Sequence, residues 1–121
     1  MRLYALRGAI TVTANEAEAI LEATEELMRE LLSRNRLEAS DLVSCIFTLT
    51  EDLDAEFPAV AARRIGLTGV PLLCAREIPV AGAMPRVIRV LIHCYFVDGR
   101  EPQHVYLRDA QRLRLDLAGA Q

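Results

Sequence analysis

Residues 86–96 constrain the fold more than any other stretch of this 121-residue chain. Ile88, Val90, Ile92, Cys94 and Phe96 alternate with Val87, Arg89, Leu91, His93 and Tyr95, so a strand here is apolar on one face and nearly so on the other. Arg89 breaks the pattern. A guanidinium in such surroundings has to find a partner, either an internal ion pair, for which Glu77 is a candidate, or a bound anion.

The remaining elements fall around that strand. Residues 2–12 read as a first strand, with Gly8 predicting a bulge or a close backbone approach beside Arg7. Ile20, Leu21, Thr24, Leu27, Met28, Leu31 and Leu32 recur at helical spacing, which predicts a helix over roughly 15–35, with Asn15 and Glu18 as its capping box. Residues 42–50 form a β-branched, apolar strand that Glu51 to Asp54 terminate. Pro58 opens a shorter helix carrying Ala59, Ala61, Ala62, Arg63 and Arg64, which Gly66 and Gly69 close. Leu72-Leu73-Cys74 resumes a strand, residues 79–85 connect as a loop or a short helix, and short strands are expected near 105–107 and 112–115. The order β-α-β-α-β-β, with more strand at the end, predicts an α/β (α+β) fold: a mixed sheet with helices on one face. A single domain over 1–121 is expected, with a flexible C-terminal tail from about residue 115.

Composition narrows the function. Hydrophobic residues make up 52% of the chain, more than a core of this size can hide, so the surplus points to burial between copies of the chain. The net charge of -3 argues against nucleic-acid binding. No segment has the length of a membrane span or the form of a signal peptide, which leads to the expectation of a cytoplasmic protein. Cys45, Cys74 and Cys94 are widely spaced in strand-like runs and read as reduced, packed cysteines; with only His93 and His104 to add, no metal site is expected.

All 14 basic residues are arginine. Base composition or thermal adaptation explains that as readily as function, although the planar guanidinium does suit bidentate carboxylate binding. Arg7 sits beside the Gly8 irregularity, where a solvated strand-end arginine is the ordinary alternative. Glu77 faces either solvent or a cleft. Tyr106 is either a packed tyrosine or a ligand contact, and Cys74 has no neighbouring base to activate it. The chain has no glycine-rich phosphate loop, no nucleophile elbow and no paired carboxylates with an obvious general acid–base role. An enzyme built from this inventory works by positioning and electrostatics.

Taken together, Arg7-Gly8-Ala9-Ile10-Thr11-Val12, Phe47-Thr48-Leu49-Thr50 with Asp52-Leu53, Phe57-Pro58-Ala59 with Ala61 and Arg63, Val70-Pro71-Leu72-Leu73-Cys74 with Glu77, Arg89-Val90 and His104-Val105-Tyr106-Leu107 resemble, in order and spacing, the blocks of the monofunctional chorismate mutases of the trimeric, barrel-like class. The resemblance implies a cofactor-free isomerase that turns chorismate into prephenate, in a homotrimeric pseudo-barrel with sites between subunits. It implies that Arg7 binds a substrate carboxylate, that Glu77 and the Cys74 backbone meet the ring hydroxyl, that Arg89 lies at the ether oxygen and that Tyr106 contacts the enolpyruvyl carboxylate. Phe57, Ala59, Arg63, Leu73, Leu113 and Arg114 would complete the pocket walls or the tail over it. Val60, Leu67 and Leu115 depart from the family's lysine, tryptophan and proline. Two other readings are an imine deaminase-like trimer, whose Gly-Pro-Tyr-type segment is missing here, and a non-catalytic carboxylate-binding module.

Overall fold

The computed structural model describes residues 1–116, with side chains as far as Leu113. Its elements are β1 (Arg2–Thr11), α1 (Ala17–Arg34), β2 (Leu42–Leu49), α2 (Pro58–Arg64), β3 (Leu72–Arg76), β4 (Val87–Phe96), β5 (Val105–Leu107) and α3 (Gln111–Asp116). The five strands form one mixed sheet in the order β3-β2-β4-β1-β5. The pairs β1·β4 and β2·β4 are antiparallel, while β1·β5 and β2·β3 are parallel. The predicted mixed sheet is therefore present, with the doubly apolar strand at its centre.

The period-2 pattern of β4 sorts its side chains onto two faces with different fates. Ile88, Val90, Ile92, Cys94 and Phe96 join Leu6, Ile10, Cys45, Phe47 and Leu49 in a core that α1 covers with Ile20, Leu27, Met28 and Leu31. Thr24, buried on that helix, satisfies its hydroxyl on the Ile20 carbonyl at 2.7 Å. Gly8 explains how closely the helix approaches: a Cβ there would lie 2.8 Å from Leu31 Cδ1 and 3.1 Å from Leu27 Cδ1. No bulge interrupts β1, whose register with β4 is continuous; the irregularity falls in β2, between Leu42 and Ser44.

Two local expectations give way to other arrangements. Asn15 does not cap α1, whose N-cap is Glu16 with no side-chain cap bond. The Asn15 amide is occupied elsewhere, donating to Asp54 Oδ1 at 2.8 Å and accepting the Asp54 and Ala55 backbone N–H groups, so it ties the β2–α2 loop to the start of the helix. The strand expected at 112–115 is instead α3. It follows a 3-10 turn over Arg108–Ala110, so the chain turns off the sheet edge after only three residues of β5. Ala110 and Leu113 then pack on Ala9, Val87 and Tyr106, on the sheet face opposite α1.

A buried asparagine fixes where β5 joins the sheet. Asn35, at the end of α1, donates to the Leu31 and Gln103 carbonyls and accepts the Gln103 N–H at 2.7 Å, while its own carbonyl receives Arg100. Among the described residues no helix is long and apolar enough to cross a membrane.

Candidate active site

The face of the sheet away from α1 carries the four polar residues that the sequence singles out. Strand register lays its side chains out in rows: Leu73, Ile46, Leu91 and Arg7 in one, and Ala75, Thr48, Arg89, Ala9 and Tyr106 in the next. Glu77 stands just past β3, where its N–H bonds the Leu49 carbonyl at 2.9 Å and prolongs the parallel ladder. Arg7, Glu77, Arg89 and Tyr106 thus come from four separate stretches of chain, and they line one cleft of about 480 Å³ with Ile46, Thr48 and Leu91. A cleft of that size suits a small organic ligand.

The polar groups in the cleft are linked. Arg89 Nε lies 3.2 Å from Glu77 Oε2, and the side chains are 32% and 21% exposed. The ion pair offered by the sequence as one partner for Arg89 is real, yet it does not use up the arginine. Nε is buried and its N–H makes no hydrogen bond, so the two charges are close without one through that nitrogen. A buried charged donor left unspent is costly unless a ligand accepts from it. Glu77 Oε2 meanwhile accepts a hydrogen bond from the Thr48 hydroxyl. At the other side of the cleft the Arg7 N–H donates to His104 Nδ1 at 3.0 Å, which fixes the acceptor nitrogen of that ring and fastens β1 to the chain entering β5.

The other expected site residues do not gather here. Phe57, 66% exposed, and Cys74 line a second hollow of about 450 Å³ at the β3 edge, with Asp54, Glu56 and Arg76. Cys74 packs its side chain toward the core cluster. Its backbone is another matter: Cys45 N–H bonds Pro71 O and Glu77 N–H bonds Leu49 O, so odd-numbered residues of β3 face β2 and the Cys74 amide points to the open sheet edge. Ala59 is buried on α2, Arg63 is exposed on it, and Leu73 is exposed on β3. Leu113 packs beside Tyr106, while the Arg114 side chain and residues 117–121 of the expected tail lie outside the described residues.

Nucleophilic chemistry has little to draw on. Burial pushes the Cys45 thiol up to about 12 and the Cys94 thiol to about 11. Neither forms a thiolate near neutrality. Among the described residues no group of three His, Cys, Asp or Glu side chains is placed to hold a metal ion. The sequence singled out Arg7, Glu77, Arg89 and Tyr106 but assigned no site role to Thr48 or to His104. Alternation along β2 already puts Thr48 opposite in phase to the buried Phe47 and Leu49; its place beside Arg89 depends on register.

Fold and cleft define a class: a small α+β protein whose sheet face gathers guanidinium, carboxylate and phenol side chains in one cleft. The sequence profile described as chorismate mutase type I matches residues 3–117. Chorismate mutase AroH of Thermus thermophilus is 52% identical over 119 residues, covering 96% of this chain and 97% of the relative, and chorismate mutase AroH of Bacillus subtilis is 35% identical over 120 residues, covering 98% and 94%. A solved chorismate mutase from Clostridium thermocellum superposes with a TM-score of 0.87 at 44% identity, covering 90% of this chain and 98% of that one. The chain belongs to the type I chorismate mutase family and is an isomerase of that kind.

Proposed function

We propose that the cleft of Arg7, Glu77, Arg89 and Tyr106 is where this chorismate mutase holds chorismate and converts it to prephenate. The observation that carries the reading is the buried, unspent Nε–H of Arg89, held 3.2 Å from Glu77 Oε2 in that cleft. A Claisen rearrangement shifts bonds within one molecule and needs no nucleophile, proton transfer, metal or cofactor. Its substrate is a flexible dianion, and arginine and tyrosine donors fix its carboxylates so that the ends to be joined meet. Negative charge grows on the ether oxygen as its bond to carbon breaks. A guanidinium aimed at that oxygen stabilises the transition state more than the ground state, which is the condition for raising kcat. In this scheme Arg7 and Tyr106 hold carboxylates and Glu77 accepts from the ring hydroxyl.

The site is completed by a neighbouring copy in a homotrimer. Two observations support this. Phe57 and the outward Cys74 amide lie apart from the cleft, at the sheet edge, where a second copy can bring them to another chain's Arg7 and Arg89. The open sheet face also leaves Leu3, Leu73 and Tyr95 between 46% and 60% exposed, an apolar surface that asks for cover. Ala59, Arg63, Leu73, Leu113 and Arg114 belong to the walls and tail of the composite pocket. The chain acts as a single domain over 1–121, in the cytoplasm, where free cysteines such as these stay reduced. Membership of the mutase family favours this reading over an imine deaminase or a carboxylate-binding module.

Loss of chorismate ultraviolet absorbance on mixing with the protein tests the activity directly. Arg89→Ala is expected to lower kcat by ~10²–10³-fold with a smaller change in KM, the scale of losing one preorganised donor. Arg89→Lys, which keeps charge without the planar fork, is also expected to be markedly slow. A well-folded Arg89→Ala protein of near-normal kcat would end this assignment.

A further inference from the structure

Thr48 belongs to none of the roles above, yet its position is unusual. It is the cross-strand partner of Arg89 in the β2·β4 pair, and its hydroxyl donates to Glu77 Oε2, the same oxygen that lies 3.2 Å from Arg89 Nε. On its other side the β3 partner is Ala75, a bare methyl, which leaves the Glu77 side chain room to reach back over β3 to Thr48.

Resting on the reading of the cleft as the mutase site, we propose that Thr48 is a positioning residue that keeps Glu77 and Arg89 from satisfying each other. A carboxylate beside a guanidinium collapses readily into a bidentate pair, with both oxygens on two N–H groups. That arrangement would consume the acceptor meant for the substrate hydroxyl and the donor meant for the ether oxygen together. The Thr48 hydroxyl engages Oε2 from the β2 side and holds the carboxylate in the rotation in which the Arg89 N–H is not aimed at it. Oε1 is then left as the acceptor for the ring hydroxyl, and the Arg89 Nε–H stays unspent for the ligand. A hydroxyl is required because it can donate to a carboxylate; the β-branched methyl serves only the strand.

The test is kinetic and uses the intact chain with chorismate. Thr48→Val keeps shape and strand preference but removes the donor, and is expected to lower kcat about tenfold or more, in line with a hydrogen bond to a charged group. KM is expected to rise less than kcat falls, because the Arg7 and Tyr106 contacts remain. Thr48→Ser restores the hydroxyl and is expected to return kcat to within about threefold of the parent. In a Glu77→Ala background there is no carboxylate to position, so adding Thr48→Val is expected to change kcat less than twofold, a non-additivity that a merely structural threonine would not show. Normal kcat in Thr48→Val, failure of Thr48→Ser to rescue, or full additivity with Glu77→Ala would each overturn the proposal, and melting temperatures separate all three from misfolding. Should Thr48→Val not fold, Thr48→Ala carries the same expectations. Absence of chorismate turnover by the unaltered chain is a different result, which removes the reading of the cleft and this role with it.

Discussion

At the scale of single residues the site depends on groups whose own bonds hold other groups still. Arg89 is close to Glu77 without a hydrogen bond through Nε, Thr48 bonds Glu77, and His104 accepts from the Arg7 backbone, so in the proposed site each would steady a neighbour that meets the ligand. Gly8 does the same by having no side chain. It follows Arg7 directly, and its missing Cβ lets α1 settle on β1. Gly8→Ala would press a methyl against Leu31 and Leu27, and the flexible tips of those leucines can yield only by disturbing a close-packed core. We expect a loss of about 1–3 kcal/mol in denaturant unfolding. A drop in kcat/KM should accompany it, because any displacement of β1 also carries Arg7. Unchanged stability would show that the helix approach has slack that the distances do not suggest.

Between elements, the decisive joints lie at the ends of α1 and β5. A strand of three residues is too short to hold itself in place, so β5 relies on Asn35 and His104 for its position beside β1. Asn35, itself buried, answers the backbone of the exposed Gln103 with both its donor and its acceptor. Asn35→Leu removes both bonds to Gln103, at a cost of about 0.5–1.5 kcal/mol for each. Thermal unfolding should show that loss. Because Tyr106 lies three residues beyond Gln103, KM for chorismate should also rise several-fold, whereas a joint of purely structural importance would leave KM of the folded fraction unchanged.

For the whole molecule, one layer of helices covers one face of the sheet, and the other face is left with the site and with apolar residues between its polar ones. Ala110 and Leu113 cover only its β1·β5 end. In the proposed homotrimer, burying the rest against two further copies would account for an apolar content of 52% in a chain of 121 residues. Equilibrium sedimentation at micromolar concentration is expected to give three times the 13.5 kDa chain mass. Charge placed on that face, for instance Leu73→Glu, should shift the mass toward the monomer and abolish activity together. A fully active monomer would remove the shared site while leaving the cleft itself in place.

Much of this was legible in the order of residues because it depends on local periodicity. Alternation in β1, β2 and β4 and the helical repeat of α1 report which face each residue presents, and that is set by backbone geometry alone. Arg89 announced itself as a charge in apolar surroundings, and the six sequence blocks pointed to the family that the profile, the relatives and the solved structure show. Features settled by competition between distant segments were not legible. Asn15 has the chemistry of a cap and is claimed by Asp54 and Ala55 instead. Residues 112–115 alternate like a strand, yet after β5 they form a helix, because the packing of Ala110 and Leu113 on Ala9 and Val87 outweighs a weak local preference. Register made the site itself: only the pairing of β2, β3 and β4 sets Thr48, Glu77 and Arg89 beside one another, since a one-residue slip of any strand would turn its member to the opposite face.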